Sequence, residues 1–156
     1  HTQPSADRAV QTLKDKHPDS SIVGISPNLA SLESVRSEFQ KVIDKYGRID
    51  ILVNNAGISE STPFEKYTEE VFNRVMDLNV KGFFNATKAA SEFMIAERSG
   101  VILSTSSVVS IYGQSSGISY PVSKFAVNGF TISLARELGP KGIRVNAVAP
   151  GIPEQI

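Results

Sequence analysis

Residues 100–124 read GVILSTSSVVSIYGQSSGISYPVSK, and this stretch of the chain decides the fold prediction. It opens with Gly100–Leu103, a short run of the kind found in strands that are buried on both faces. Hydroxyl residues follow at the end of this strand, then a loop with two glycines, and then a helix that begins near Tyr120. Tyr120 and Lys124 are four residues apart in that helix, so they lie on one face of it.

The spacing of Tyr120 and Lys124 allows acid–base chemistry. A free tyrosine is almost entirely protonated at neutral pH. It therefore acts as a base only where a neighbouring positive charge favours the phenolate, and Lys124 can supply that charge. A tyrosine and a lysine at this spacing also occur by chance as a surface pair, so the interpretation depends on the rest of the chain.

Three further segments have the composition of buried strands: Ser21–Ile25, Ile49–Val53 and Ile143–Val148. Each of the four predicted strands follows a helix-length segment, which is the βαβ pattern of a parallel sheet covered by helices. The chain has no internal repeat and no Ser- or Pro-rich linker. We therefore expect residues 1–156 to form a single domain.

Three helices can be delimited from apolar spacing and from their end signals. The first covers residues 32–46 and stops at Gly47. The second begins after Thr68 as N-cap and runs towards Phe93, with Gly82 bending or interrupting it. The last begins near Ser119 or Tyr120 and ends at Gly139-Pro140.

Composition excludes several classes of function. The 16 basic residues balance the 16 acidic residues, so the chain lacks the net charge that nucleic acid or an anionic membrane surface requires. It has no cysteine and only two histidines, which argues against a metal site. With no membrane-length apolar run and no signal-like leader, the sequence predicts a soluble cytoplasmic protein that takes a small neutral or apolar ligand.

Small and amide residues follow the predicted strands on one edge of the sheet. Asn54-Asn55-Ala56-Gly57 comes after Ile49–Val53, and Pro150-Gly151 comes after Ile143–Val148. Ligands of open parallel sheets bind at the carboxyl ends of the strands, where small residues let a flat molecule approach the backbone. We expect the ligand there, close to the Tyr120 helix.

Together these motifs resemble the classical short-chain dehydrogenase/reductase family. They are NNAG at 54–57, DLNVKGFF around Asn79, Ser107 with YxxxK at 120–124, and NAVAPG at 146–151. They span nearly the whole chain in the family's order. The resemblance implies a Rossmann-like doubly wound parallel sheet with helices on both faces. It also implies an NAD- or NADP-dependent oxidoreductase that transfers hydride to or from a secondary alcohol or ketone.

The resemblance also implies residue roles. Tyr120 would be the general acid/base, and Ser107 would hold the same substrate oxygen. Lys124 would bind the nicotinamide ribose and favour the Tyr120 phenolate, and Asn79 would bend its helix and hold a water of the proton relay. The implied cofactor-binding residues are Asn28, Leu29, Asn55, Ala56, Gly57, Tyr120, Lys124, Pro150, Gly151 and Ile152. Asn54 is expected to tie the turn instead.

Two other motifs are expected to be silent. Gly113–Gly117 matches the G-x-S-x-G elbow of hydrolases, whose acid and histidine follow the serine, but no histidine occurs after His17. Asn85-Ala86-Thr87 matches a glycosylation sequon inside a predicted helix. Any single motif of the resemblance, Pro150-Gly151 for example, has a purely structural interpretation as well.

The ends of the chain depart from the family pattern. The Gly-rich unit that cradles the pyrophosphate is absent before residue 20, and the usual segments after Gly151 are absent too. We therefore expect residues 1–156 to be a fragment of a protein of the family's usual size. By itself this fragment would fold and bind cofactor poorly. The position that chooses NAD or NADP lies at or before His1, so the preference is undetermined.

Within the family, the chain looks most similar to bacterial bile-acid hydroxysteroid dehydrogenases, and also to 3-oxoacyl carrier protein reductases and polyol dehydrogenases. Apolar residues beside Ser107 and Tyr120, among them Ile111 and Ile118, suit a steroid or acyl chain, or simply pack the loop. The two long helices resemble those that pair across subunits, which implies a homotetramer or a homodimer. The alternative function is a catalytically silent, nucleotide-binding regulatory protein of the same fold.

Overall fold

A computed structural model describes residues 2–151 and contains a three-stranded parallel sheet in the order β1-β2-β3. The strands are β1 (Ile51–Asn54), β2 (Gly100–Thr105) and β3 (Ile143–Val148). Asn54 is paired with Ser104, and Thr105 is paired with Val148. All three strands therefore end at the same edge of the sheet, as predicted, and the Rossmann-like fold class is confirmed.

The described part of the chain contains six α-helices, of which α4 and α6 make the extensive contacts with the sheet. They are α1 (Gln3–Lys16), α2 (Leu32–Tyr46), α3 (Glu69–Met76), α4 (Phe83–Glu97), α5 (Val109–Tyr112) and α6 (Ser119–Leu138). Two short 3₁₀ turns cover Phe64–Lys66 and Gly139–Lys141. Among residues 2–151, none of the helices is both long enough and apolar enough to cross a membrane.

The predicted helix ends are confirmed by their local chemistry. The Ser31 side chain accepts a hydrogen bond from the amide of Ser34 at the start of α2, and Gly47 ends that helix in the left-handed conformation at φ 81°. Thr68 caps α3 by accepting from the amide of Val71. Short polar side chains thus satisfy backbone donors that would otherwise lack a partner.

The interruption predicted at Gly82 is a π-helical segment, Asp77–Gly82, which joins α3 to α4. Asn79 and Gly82 are buried within it. A Cβ on Gly82 would lie 3.1 Å from the Cβ of Leu29, so the absence of a side chain lets the loop before α2 pack closely. The widened turn carries Asn79 towards the carboxyl edge of the sheet, where it lines the same cavity as Lys124.

The predicted strand at Ser21–Ile25 is wrong. Residues 20–28 form an irregular connection between α1 and the turn before α2. Residues of this composition favour an extended backbone, but a strand also needs a hydrogen-bonded neighbour, and residues 2–151 provide none for it. The other strands lie where they were predicted, with β1 shifted by two residues at its start and β2 extended to Thr105.

The core lies between one face of the sheet and helices α4 and α6. Ile102 and Met94 are fully buried, and Val145 and Leu138 are 5% and 4% exposed. A second cluster joins α2 to α4 through Val35, Ala86 and Ala89. On the opposite side of β1, Ile51 and Val53 remain 63% and 56% exposed. The packed face thus fixes α4 and α6, which carry or adjoin the site residues.

We predict that two glycine substitutions separate backbone strain from steric clash. Gly142 has φ 83°, and a Cβ there would lie 2.1 Å from the carbonyl oxygen of Arg98. Gly47 has nearly the same φ of 81° with no atom within 4 Å of its Cβ position. We expect Gly47→Ala to lower the free energy of unfolding by about 1 kcal/mol. Gly142→Ala should lower it by about 2 kcal/mol more, because the backbone at Arg98, just before β2, must also move. Urea unfolding of both variants tests this, and equal costs would contradict it.

Candidate active site

The carboxyl edge of the sheet opens into a cavity. The residues after β1, the end of β2, the π-helical segment and α6 all face it. Its polar lining consists of Asn54, Asn55, Asn79, Thr105 and Lys124, and Leu29, Ala56 and Val127 are among its apolar lining residues. Five residues of the predicted site, Leu29, Asn55, Ala56, Asn79 and Lys124, thus surround one space although they come from four separate parts of the sequence.

Asn79 holds the loop after β1 in place. It is 3% exposed. Its Oδ1 accepts a 2.9 Å hydrogen bond from the amide of Ile58, and its Nδ2 donates at 2.9 Å to the carbonyl of the same residue. The second Nδ2 hydrogen bonds to Ser123 Oγ at 3.0 Å. The side chain therefore connects the π-helical segment to the NNAG loop and to α6.

Gly57 lies where Asn79 and Lys124 come closest to the backbone. A Cβ at this position would lie 3.2 Å from Asn79 Oδ1 and 3.8 Å from Lys124 Nζ. A side chain here would fill the space between the amide and the ammonium. The glycine keeps that space open, which fits the approach of a flat ring with its sugar.

Lys124 is the buried cation of the site. It is 7% exposed, and its Nζ donates a 2.7 Å hydrogen bond to the carbonyl of Thr105 at the end of β2. The same Nζ lies 5.6 Å from the centre of the Tyr120 ring, so the predicted shared face of α6 is observed. Burial lowers the pKa of Lys124 from its ordinary value of 10.5. Thr105 Oγ1 also donates to Asn55 Oδ1 at 2.9 Å, joining this strand end to the NNAG loop.

Ser107 and Tyr120 occupy the two sides of the loop that follows β2. Ser107 is 9% exposed, and its Oγ accepts a long 3.4 Å hydrogen bond from the amide of Val109. Tyr120 is half-buried in the first turn of α6. The segment after β3 runs beside the residue that follows Ser107, because the amide of Val108 donates to the carbonyl of Pro150 at 3.0 Å.

The remaining predicted site residues divide into three groups. Asn54, which was expected to tie the turn, donates to Thr87 Oγ1 at 2.9 Å and so ties β1 to α4. The Asn28 side chain accepts from the amide of Ala30 within its own turn, while Leu29 lines the cavity. Gly151 is exposed at the end of the described residues, and Ile152 and His1 lie outside them.

Several residues of the site were not predicted from the sequence. Ser123 and Thr105 hold Asn79 and Lys124, and Ile58 supplies the backbone that Asn79 binds. Next to Ser107 in the chain, Ser106 Oγ donates a partly buried 2.7 Å hydrogen bond to Asn128 Oδ1. Ser123 directly precedes Lys124, which is the one signal that could have pointed to it.

The structure gives the surroundings of the two motifs that were expected to be silent. Ser115 is exposed in a bend between α5 and α6, and the strand-to-helix turn of a nucleophile elbow is not formed there. Asn85 of the sequon is 3% exposed, and its Nδ2 donates at 2.7 Å to the carbonyl of Leu29. Neither position offers its side chain for the chemistry that the motif suggests.

We predict that Lys124 makes the free energy of unfolding of the nucleotide-free protein increase with pH in the alkaline range. Its folded-state pKa is lowered, so the unfolded chain keeps this proton to higher pH than the folded chain does. Stability should therefore rise with pH from the lowered folded value up to the ordinary 10.5. Urea unfolding midpoints measured from neutral pH up to pH 10.5 should increase in the wild type and should not increase in Lys124→Met.

The control for this measurement is Lys66→Met, which removes an exposed ammonium. Its midpoints should follow the wild-type pH dependence. Parallel curves for the wild type and Lys124→Met would show that burial of Lys124 does not alter its titration.

Comparison with known proteins identifies the family. The sequence profile of the short chain dehydrogenases matches residues 1–154, so the chain belongs to the short-chain dehydrogenase family. A 3alpha-hydroxysteroid dehydrogenase of Mediterraneibacter gnavus is 54% identical over 150 residues, which are 96% of this chain and 60% of that protein. The 3-oxoacyl-acyl-carrier-protein reductase FabG of Thermotoga maritima is 44% identical over 127 residues, 81% of this chain and 52% of the reductase.

Solved structures agree with this assignment. NAD+-bound xylitol dehydrogenase matches with a TM-score of 0.90 at 32% identity, over 96% of this chain and 57% of that one. ElxO with NADP bound matches with a TM-score of 0.82 at 34% identity, over 92% and 60%. The chain thus spans between half and two thirds of the length of these relatives.

Proposed function

We propose that this chain carries the active site of an NAD(P)-dependent oxidoreductase that interconverts a secondary alcohol and a ketone. The observation that carries the proposal is the buried ammonium of Lys124, 5.6 Å from the Tyr120 ring at the carboxyl edge of the sheet. Burying a charged lysine costs free energy, so a role in packing alone does not explain its position. Its position beside a phenol and an open glycine is suited to acid–base chemistry next to a cofactor.

The side chains act at one substrate oxygen in this proposal. In alcohol oxidation the Tyr120 phenolate takes the hydroxyl proton, and in ketone reduction the Tyr120 phenol returns it. The Ser107 hydroxyl donates a hydrogen bond to the same oxygen and holds it in line. When bound, the nicotinamide accepts or supplies the hydride at the substrate carbon.

Lys124 and Asn79 support these two groups. The Lys124 ammonium favours the Tyr120 phenolate and binds the hydroxyls of the nicotinamide ribose. The Asn79 side chain, held by Ile58 and Ser123, fixes the loop beside Lys124. Its role in a proton relay through a bound water stays a prediction.

The cofactor would lie along the carboxyl edge of the sheet. Asn55, Ala56 and Gly57 would line its adenosine side, with Asn28 and Leu29 next to the adenine and Pro150, Gly151 and Ile152 by the nicotinamide. The cavity that Leu29, Asn55 and Ala56 share with Lys124 supports a cofactor along this edge. One structural relative is named with NAD+ and another with NADP, so we propose NAD or NADP without a preference.

Among substrate classes we favour hydroxysteroids. The relative from Mediterraneibacter gnavus, 54% identical over most of this chain, is named for that activity. Exposed apolar side chains next to the catalytic residues, Ile111, Tyr112 and Ile118, give a steroid a surface to bind. The reductases named FabG support a 3-oxoacyl substrate as the second choice.

The test is turnover of the full-length protein, followed at the absorbance of reduced nicotinamide. NAD+ and NADP+ are supplied separately with 3-hydroxysteroids, 3-hydroxyacyl thioesters and polyols. We expect turnover of a hydroxysteroid with one of the nucleotides. Nucleotide binding without turnover of any alcohol would instead support the regulatory alternative.

We also propose that the protein is a homotetramer or a homodimer joined through α4 and α6. Both helices expose large apolar side chains: Phe84 on α4 is 46% exposed, and Phe125 and Ile132 on α6 are 49% and 64% exposed. Exposed apolar surface of this kind is typical of a subunit interface. The mass in solution, measured by light scattering, tests this. The single-domain organisation and the cytoplasmic location stay predictions from the sequence.

A further inference from the structure

The carboxylate of Glu60 contacts Ser119, which is the first residue of α6 and directly precedes Tyr120. Glu60 Oε1 accepts hydrogen bonds from the Tyr67 hydroxyl at 2.5 Å and from Ser119 Oγ at 3.2 Å. Its Oε2 accepts from the amide of Thr62 at 2.9 Å. The Tyr67 hydroxyl also contacts Ser119 Oγ and accepts from the Ser119 amide at 3.1 Å. We call Glu60, Tyr67 and Ser119 the Glu60 cluster.

The backbone joins the same two segments. The carbonyl of Glu60 accepts from Gln114 Nε2 at 3.2 Å, and the amide of Gly117 donates to the carbonyl of Thr62 at 3.0 Å. Gly117 has φ 79°, and a Cβ there would lie 2.1 Å from the carbonyl oxygen of Glu60. Only glycine permits this approach, so the loop before α6 rests directly on residues 60–62.

The Glu60 carboxylate is negatively charged and lies at the N-terminus of α6. Burial raises the pKa of Glu60, but hydrogen bonds from Tyr67, Thr62 and Ser119 lower it by more, and the net pKa is below its usual value. An ionised carboxylate at the start of a 20-residue helix is favoured by the helix dipole.

The cluster takes the place of an ordinary helix cap. The N-cap residue of α6, Ile118, has no side chain that can accept a hydrogen bond from the helix. Tyr67 accepts from the Ser119 amide instead, and Glu60 orients Tyr67. Ser119 is fully buried, and the next residue in the chain is Tyr120. Any movement of this turn would therefore move the Tyr120 hydroxyl.

We propose that Glu60 is a positioning residue for the reaction, which fixes the first turn of α6 through Tyr67 and Ser119 and so places the Tyr120 hydroxyl against the substrate. This inference rests on the proposed function. It assigns Glu60 no contact with substrate or cofactor. Because a displacement of about 1 Å at a reacting group can lower a rate by up to two orders of magnitude, the expected effect is on kcat.

The experiment compares Glu60→Gln, Tyr67→Phe and the double variant in the full-length protein, with the substrate on which the wild type turns over. We expect each single variant to lower kcat roughly tenfold or more, while KM for the nucleotide changes less than twofold. Because both residues act through one chain of hydrogen bonds, the double variant should lose little more than either single variant. Glu65→Gln, which alters an exposed glutamate of the same segment, should match the wild type.

Each outcome decides the inference. Wild-type kcat in Glu60→Gln and Tyr67→Phe would overturn it, as would a loss confined to nucleotide KM or additive losses in the double variant. If Glu60→Gln does not fold, as judged by circular dichroism, the kcat of Tyr67→Phe and of Ser119→Ala decides in its place. Absence of turnover in the wild type would instead overturn the proposed function itself.

Discussion

Tyr120→Phe should abolish turnover while the protein stays folded and still binds nucleotide. Phenylalanine keeps the ring that Lys124 Nζ approaches and removes only the hydroxyl. In the proposed function this hydroxyl exchanges the proton of the substrate oxygen, and general acid–base catalysis of this kind contributes about 10²–10⁴-fold. We expect a loss of kcat of that size in the reduced-nicotinamide assay, with nucleotide affinity unchanged in a fluorescence titration.

Tyr46→Phe is the matched control, because it removes a hydroxyl from a tyrosine that is 37% exposed at the end of α2, outside the candidate site. It should keep wild-type kcat and KM. Turnover of Tyr120→Phe at more than a tenth of the wild-type rate would mean that another group moves the proton.

Lys124→Met should remove both turnover and tight nucleotide binding. Methionine fills nearly the same buried volume and lacks the ammonium that, in the proposed function, favours the Tyr120 phenolate and binds the ribose. Loss of one such charged group from an active site costs roughly 10²–10³-fold in rate. We expect kcat/KM to fall by at least that factor and the nucleotide dissociation constant to rise, which separates this variant from Tyr120→Phe.

The variant should still fold, because Lys124 contributes a single hydrogen bond to the carbonyl of Thr105. Circular dichroism checks this, and Lys66→Met, at an exposed lysine, should retain full activity. Wild-type nucleotide affinity in Lys124→Met would contradict the placement of the ribose beside this residue.

The edge of the sheet was predictable because its signals are local. The strands predicted at 100–103 and 143–148 and the cap at Thr68 each follow from a few neighbouring residues. The convergence of Asn55, Asn79 and Lys124 on one cavity then follows from the topology of a parallel sheet. Helical spacing likewise placed Lys124 beside Tyr120, and the distance of 5.6 Å confirms it.

Features that depend on distant partners were not predictable in this way. The segment Ser21–Ile25 has a strand's composition, but its pairing depends on a neighbour that composition does not specify. The Glu60 cluster joins residues 52 and 59 positions apart, and nothing near Glu60 in the sequence marks it as a partner of Ser119. Similarly, the π-helical form of Asp77–Gly82 was expected only as an interruption, because Gly82 indicates a weak point but not its geometry.

The π-helical segment has a consequence for how insertions and deletions would act on this chain. A π turn holds one residue more than the α-helix around it, and each residue rotates a helix by about 100°. Deleting one residue from 77–82 would let α3 and α4 merge into one regular helix, but it would turn Asn79 away from Ile58. A length change here would thus leave the helix intact and remove the site, so sequence alignments of relatives should place no gap between Met76 and Phe83.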